Sequence, residues 1–129
     1  MKCRLTGIAL VAWLSLIGAR QQLRAEELSR PYQDAVNKGL AWLAKAQIRD
    51  GHWEASGGAY PVAMTGLSGV ALLMEGSTLR DGKYADNVRR ATDWLMNSTQ
   101  RNGLISPLNG MGRGYMHDHG YALLFLALV

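Results

Sequence analysis

Cysteine is almost absent from this sequence, because Cys3 is the single example among 129 residues. A disulfide framework within the chain and a zinc finger built on several cysteines are therefore excluded. The sequence also lacks a glycine-rich phosphate loop, a dinucleotide fingerprint, a nucleophile elbow and a His-Glu-x-x-His pair. The enzyme classes that depend on these short motifs receive no support from the sequence.

Acidic residues are missing from the first 25 positions, and the charge of the chain is therefore uneven. Four of the fourteen Lys and Arg residues lie in that segment, and the ten that follow are balanced by ten acidic residues. The net charge of +4 thus comes from the N-terminal segment alone. A neutral body offers no electrostatic footprint for a phosphate backbone, so a nucleic acid is not expected as a partner.

The N-terminal segment is typical of a secretory signal peptide. Lys2 and Arg4 precede the apolar run Leu5–Ala19, which is shorter than the about 18–20 residues of a membrane-spanning helix. We predict that residues 1–25 are removed, by cleavage after Ala25 or at the end of the apolar run. The mature protein would then be exported to the periplasm or the extracellular space, with no membrane span. The alternative is an uncleaved helix that anchors the chain to a membrane.

Residues 26–129 are predicted to be all-α, and two of the expected helices are amphipathic. Apolar residues recur every three or four positions in the segments 31–48 and 84–99, which is the period of a helix with one buried face. In the first segment the expected face consists of Ala35, Val36, Leu40, Leu43 and Ala46.

The other two expected helices are apolar or small on every side. One covers 61–76, and the other starts near Asp118 or His119 and continues to the last residue. A helix without a polar face is expected to be buried all round. Gly66 and Gly69 lower the helix propensity of the first one, and we expect a neighbouring helix to approach closely there.

The two halves of this region repeat each other. Trp42-Leu43 aligns with Trp94-Leu95 at an offset of 52, Gln47 with Gln100 at 53, Gly51 with Gly103 at 52, and Ala71-Leu72 with Ala127-Leu128 at 56. Each unit is a helix pair of roughly 50 residues. One such pair cannot cover its own apolar surface, so several pairs are expected to stack or to close into a ring.

The first repeat resembles the QW motif of squalene-hopene and oxidosqualene cyclases. Its elements are Lys38-Gly39, Trp42-Leu43, Gln47 and Gly51-His52-Trp53. The second copy runs from Arg90-Ala91 to Gln100 and Gly103, and it has Ile105 where the last Trp is expected. From about residue 30 onward the chain is similar to the terpenoid cyclase/protein prenyltransferase superfamily, whose members carry prenyltransferase/squalene oxidase repeats.

The resemblance implies a partial α/α toroid, in which inner and outer helices alternate around a central cavity. The two apolar segments match inner helices, and the two amphipathic segments match outer ones. In the family the motif residues hold neighbouring repeats together, which implies a structural role for Gln47, Gly51, Trp53, Gln100 and Gly103. A buried amide must find hydrogen-bond partners, and an indole gives it an apolar cover.

The catalytic motifs of the family are missing. The D-x-D-D acid motif of hopene cyclases does not occur, and the Asp, Cys and His zinc ligands of prenyltransferases are not matched. We therefore predict no catalytic residue, no metal and no cofactor in this chain. Whether a larger protein that contains it is an enzyme stays open.

A polar cluster at the start of the last helix is the candidate ligand site. His119, Gly120 and Tyr121 are similar to the H-G-G-Y stretch of prenyltransferase β subunits, whose His contacts a diphosphate, although the second Gly is missing. A helix N-terminus also suits an anion. The alternative is that His119 and Asp118 satisfy buried backbone groups. Zinc binding by the stretch His117-Asp118-His119 is disfavoured, because residues two apart point to different sides of a helix and no further ligand is evident elsewhere. The remaining histidine, His52, is expected to be exposed and without a role.

The sequence stops within an apolar helix, and two helix pairs do not complete a ring. We expect an N-terminal fragment of a longer product, whose exposed apolar helices favour self-association. The function that follows is an exported repeat protein without cyclase activity that binds an apolar, isoprenoid-like molecule. Two alternatives remain: a terpene cyclase or prenyltransferase-type enzyme whose catalytic residues lie beyond Val129, and a helical-repeat scaffold that binds proteins.

Overall fold

The structure is a computed structural model that describes residues 29–106 and 115–129. Within these residues the protein is all-helical, and no strand is present. The four helices are α1 (Arg30–Ala46), α2 (Pro61–Met74), α3 (Ala85–Asn97) and α4 (Tyr115–Leu128). The all-α prediction is therefore confirmed. The predicted signal peptide and the loop around Pro107 lie outside the described residues.

The helix ends follow local chemistry. Pro31 lies in the first turn of α1, where its missing N–H removes no helical bond. Pro61 begins α2 in the same way, after Tyr60, whose φ of 54° is left-handed. At the other end of α2 the chain leaves the helix through Gly76, which has a φ of 110°. A glycine in this conformation is a common helix terminator.

The closest helix contact joins α2 to α4. A Cβ atom added at Gly66 would lie 2.5 Å from the carbonyl carbon and oxygen of Tyr121, and one added at Gly69 would lie 2.5 Å from the ring of Phe125. The expected close approach is thus present, and its partner is the second apolar helix. Helix α2 also contacts α3 and α1, so it is the centre of the packing.

The core lies between the helix pairs and includes both loops that follow α1 and α3. Its buried members are Leu40, Trp53, Val62, Leu72, Tyr84, Val88, Ala91, Leu95, Ile105, Ala122 and Phe125. Leu79, Leu43 and Trp94 pack against this cluster while partly exposed. The described helices therefore share one core rather than two.

Two expectations about burial are wrong. Helix α2 is not buried on every side, because Leu67 and Met74 are exposed. In α1 only Leu40 of the expected apolar face is fully buried, whereas Val36 is exposed. The physical reason is the same in both cases: an apolar side can be buried only where a neighbouring element covers it, and α1 and α2 are each covered on part of their circumference.

Candidate functional site

The side chain of Gln47 joins the first helix pair to the second. Its Nε2 donates to the carbonyl oxygens of Gly51 at 2.8 Å and Asn87 at 3.0 Å. Its Oε1 accepts hydrogen bonds from Asn87 Nδ2 at 2.7 Å and from the Arg90 guanidinium at 2.5 Å. Both protons and both lone pairs of the amide are thus used. This arrangement links the end of α1 to the middle of α3.

The turn after α1 requires glycine at position 51 for two reasons. Gly51 has a φ of 108°, which residues with a Cβ rarely adopt. A Cβ atom would also collide with the carbonyl oxygen of Arg90 on α3. The loop of the first repeat therefore rests directly on the backbone of the second outer helix.

Trp53 connects this loop to both helices of its own pair. Its Nε1 donates to the carbonyl oxygen of Leu43 at 2.8 Å, and its backbone N–H donates to Thr65 Oγ1 at 3.0 Å. The Thr65 hydroxyl in turn donates to the carbonyl oxygen of Pro61 at 2.7 Å. Trp53 and Thr65 are both buried, so each of these polar groups needs the partner that it has.

The second repeat reproduces this contact with a different side chain. The backbone N–H of Ile105 donates to His119 Nδ1 at 3.2 Å. Ile105 stands where the first repeat has Trp53, and His119 stands where it has Thr65. The inner helices therefore align at an offset of 54, not at the 56 expected from sequence, and Gly120 is the equivalent of Gly66.

The glutamine of the second copy is displaced by one position. The backbone N–H of Gln100 donates to the Leu104 carbonyl oxygen at 2.8 Å, a bond that Ile48 rather than Gln47 makes in the first repeat. The Gln100 amide donates to Ser106 Oγ at 2.6 Å. Gln47 and Gln100, which align at an offset of 53, therefore have different structural roles. The reason is that the step from Gln47 to Gly51 is one residue longer than the step from Gln100 to Gly103.

A second link between the repeats involves His52, which was expected to be exposed and without a role. Its ring stacks on Trp94 of α3 with centroids 4.7 Å apart and an angle of 21° between the planes. His52 Nδ1 lies 2.5 Å from Asp50 Oδ1, and Trp94 Nε1 donates to Asp50 Oδ2 at 3.2 Å. The expectation for His52 is therefore wrong, because its partner lies 42 residues further along the chain, where no local pattern reveals it.

The contacts of Asp50 affect its acidity. Burial acts to raise the pKa of this carboxyl, but the hydrogen bonds and the charge of His52, together with the bond from Trp94, outweigh burial. The pKa of Asp50 therefore lies below its ordinary value of 3.8. A hydrogen bond that favours the charged form always acts in this direction.

Asp118 holds the start of the neighbouring inner helix. Its Oδ1 accepts a hydrogen bond from the backbone N–H of Ala63 at 3.3 Å, and the side chain is buried. Ala63 lies in the first turn of α2, where N–H groups have no partner within the helix. A carboxylate at this end of a helix is also favoured by the helix dipole.

Helix α4 begins at Tyr115, before the predicted start near Asp118 or His119, so Asp118 lies in its first turn and His119, Gly120 and Tyr121 lie in the second turn rather than at the helix N-terminus. His119 Nδ1 already accepts a hydrogen bond from the backbone N–H of Ile105, while Gly120 and Tyr121 are exposed. The buried side chain of Asp118 is next in sequence, and it already accepts a hydrogen bond from the Ala63 N–H. These contacts favour the structural alternative, and anion binding stays a prediction. Among the described residues no group of three His, Cys, Asp or Glu side chains could hold a metal ion.

A stripe of apolar side chains runs along α2 and α4, on the side opposite Thr65 and His119. Thr65 and His119 point toward the loops that follow α1 and α3. Residues two, five and nine positions further along a helix lie about 140–200° around its axis from such a residue. We call the resulting set the apolar wall: Leu67, Val70 and Met74 on α2, and the equivalent Tyr121, Leu124 and Leu128 on α4.

The members of the apolar wall are partly or fully open to solvent. Leu67 and Met74 are exposed on α2, as are Leu124 and Leu128 on α4. Sequence reasoning missed this surface, since a helix that is apolar all round gives no sign of which side lacks a neighbour. The signal that could have revealed this surface is that apolar residues occupy the same positions of α2 and α4 once the two helices are aligned at an offset of 54.

No family model, curated protein or solved structure matches this chain. The resemblance to the terpenoid cyclase superfamily therefore stays a prediction from the repeat and its motif residues. Within the described residues no helix is both long and apolar enough to cross a membrane.

Proposed function

We propose that this chain is an exported, noncatalytic helical-repeat module of the terpenoid cyclase/protein prenyltransferase type, and that its apolar wall binds an isoprenoid-like molecule. Two features support the kinship. The helix pairs recur at offsets of 52 to 54, and Gln47 and Gly51 make repeat-joining contacts of the kind that the motif implies, while Trp53 joins the loop to its own pair. A partial α/α toroid, with α2 and α4 as inner helices, is part of the same proposal.

The observation that carries the ligand proposal is the apolar wall. It combines aliphatic and thioether side chains at equivalent positions of two adjacent helices, and most of them are open to solvent. Contiguous exposed apolar surface on a protein commonly marks a ligand or interaction site. Because these side chains form a row along the two helices, the surface suits an extended hydrocarbon better than a compact polar metabolite.

The chemistry around the wall favours binding over catalysis. Protonation of an alkene needs an acid aimed at the ligand, and Asp118, the buried carboxylate nearest in sequence to the wall, already accepts the Ala63 N–H. Five of the six wall residues are aliphatic or thioether side chains without an ionisable group, and the sixth, Tyr121, brings a phenol rather than a carboxylic acid. The chain would hold its ligand by burial of apolar area, at about 25 cal/mol per Å² removed from water.

Two measurements test the proposal on the full chain. Organic extraction of the purified protein followed by mass spectrometry should recover an isoprenoid alcohol or hydrocarbon. Titration with farnesol that carries a small fluorophore should show saturable binding. Leu124→Ser in the wall should raise the dissociation constant roughly five- to thirtyfold, since about 1–2 kcal/mol of apolar contact is lost.

The matched control is Met96→Ser, because Met96 is an equally exposed apolar residue on the outer helix α3. Its dissociation constant should equal that of the unchanged protein. Absence of saturable binding to the unchanged chain would overturn the proposal, and so would an equal loss in both variants.

A further inference from the structure

Helix α1 exposes the positions that α3 buries. At the offset of 52, Tyr32 corresponds to Tyr84 and Val36 to Val88. Tyr32 is 66% exposed and Tyr84 5%, while Val36 is 50% exposed and Val88 0%. Trp42, the equivalent of the stacked Trp94, is 67% exposed. We call the exposed side of α1 formed by Tyr32, Val36 and Trp42 the acceptor face.

The loop after α3 has the shape of the loop after α1, which covers α3, but none of the described residues lies against Gly103. Asn102 Oδ1 accepts the Leu104 N–H at 3.1 Å, in the same way that Asp50 Oδ1 accepts the N–H two residues on. Gly103 has a left-handed φ of 85°, and its equivalent Gly51 has a left-handed φ of 108°. A Cβ atom at Gly103 would meet no atom within 4 Å, whereas one at Gly51 would meet α3.

The inner helix of the second repeat is open in the corresponding way. Gly66 and Gly69 of α2 lie against α4, and their equivalents at the offset of 54 are Gly120 and Leu123. Gly120 has no atom near its added Cβ, and Leu123 is exposed. We call the set Asn102, Gly103, Gly120 and Leu123 the donor face.

We propose that copies of this chain associate head to tail: the acceptor face of one copy lies against Asn102 and Gly103 of the next, and α2 of the first copy lies against Gly120 and Leu123, as α4 lies against Gly66 and Gly69. The internal junction between the two repeats is the template. The Trp42 indole of one copy lies against the Asn102 side chain of the other, as the Trp94 indole lies against Asp50. Gly103 of one copy lies against the carbonyl oxygen of Lys38 of the other, as Gly51 lies against the carbonyl oxygen of Arg90 on α3.

The two faces favour a second copy as occupant because each chain carries both of them. They are different surfaces, so the contact is heterologous, and it extends into a chain of copies or closes into a ring according to the rotation at each step. Asn102 has one side-chain oxygen, which accepts the Leu104 N–H, so the hydrogen bond from Trp94 to the second oxygen of Asp50 has no equivalent in this contact. Leu104 replaces the stacking His52, which makes the contact more apolar than the internal one.

Sedimentation equilibrium of the full chain tests the proposal through two blocked variants and their mixture. The unchanged chain should form species larger than a dimer as concentration rises. Trp42→Glu blocks the acceptor face and Leu123→Glu blocks the donor face, so each variant alone should be monomeric. A mixture of the two should form 1:1 dimers that do not grow, because each variant retains the face that the other has lost.

The control is Asn97→Glu. Asn97 and its equivalent Lys45 are both exposed, so this position lies outside both faces, and the variant should assemble like the unchanged chain. Circular dichroism of each variant verifies that the helices are retained. A chain that is monomeric at all concentrations would overturn the proposal and would point to residues 1–28 as the cover of α1. A dimer that Leu123→Glu leaves intact would also overturn it, because the contact would then be two-fold.

Discussion

Replacement of Gly66 by Ala is the sharpest test of the packing between the inner helices. The added methyl group would lie 2.5 Å from the carbonyl carbon and oxygen of Tyr121 and 2.8 Å from the nitrogen of Ala122. These distances are about 1 Å shorter than a comfortable contact between non-bonded atoms. All three are backbone atoms of α4, so no side-chain rotation can make room, and the helices must move apart.

The expected magnitude comes from two opposing effects. Alanine in place of glycine in a helix is favourable by up to about 1 kcal/mol. Overpacking of a close contact costs typically about 1–3 kcal/mol, and the upper end applies where the obstacle is backbone. We therefore expect Gly66→Ala to lower the free energy of unfolding by about 2 kcal/mol, the difference between these values.

Urea denaturation followed by circular dichroism measures this change, provided that the slope of the transition stays the same. Gly39→Ala is the matched control, because Gly39 is also helical but has no atom within 4 Å of its added Cβ. Its equivalent in α3 is Ala91, which shows that alanine suits the position. Gly39→Ala should raise the midpoint, by up to about 1 kcal/mol in stability. If Gly66→Ala raised it equally, the close contact between α2 and α4 would be refuted.

Three further predictions concern hydrogen bonds. Thr65→Val leaves the buried N–H of Trp53 without an acceptor and should cost about 1–3 kcal/mol in urea denaturation; no change would mean that the bond is absent. Asp118→Ala removes the acceptor of the Ala63 N–H and should lower the thermal midpoint more than Asp118→Asn, which keeps an oxygen there; equal midpoints would contradict this role. Because the pKa of Asp50 is lowered, its stabilising effect is complete above its ordinary value of 3.8 and is lost as the pH falls through the lowered value. Asp50→Asn should therefore flatten the acid side of the stability curve, and an unchanged curve would count against the bond.

Local features of the sequence were sufficient to place the first three helices, whereas α4 begins at Tyr115, before its expected start near Asp118 or His119. The expected segment 31–48 corresponds to Arg30–Ala46, and 61–76 corresponds to Pro61–Met74. Apolar periodicity, a proline in the first turn and a glycine after the last turn act within a few residues, so they can be recognised in the chain itself. The close approach at Gly66 could be expected for the same reason.

The contacts between repeats could not be predicted in detail. Gln100 looked like a second Gln47, but the hydrogen bond of its backbone places it one residue further along. The stacking of His52 depends on Trp94, which lies 42 residues away. Such contacts depend on the register between elements that are distant in sequence, and a difference of one residue in loop length changes which side chain arrives.

The hydrogen bond between Asp118 and Ala63 has a consequence for how such a protein can gain or lose helix pairs. It joins residues 55 positions apart, so the start of one inner helix is completed by a carboxylate that the following pair supplies. A recombination event that deleted the second pair would also remove the side-chain acceptor of the Ala63 N–H, and water would take its place. Shortening of the gene by one repeat would therefore cost the remaining pair the carboxyl group that completes the start of its helix.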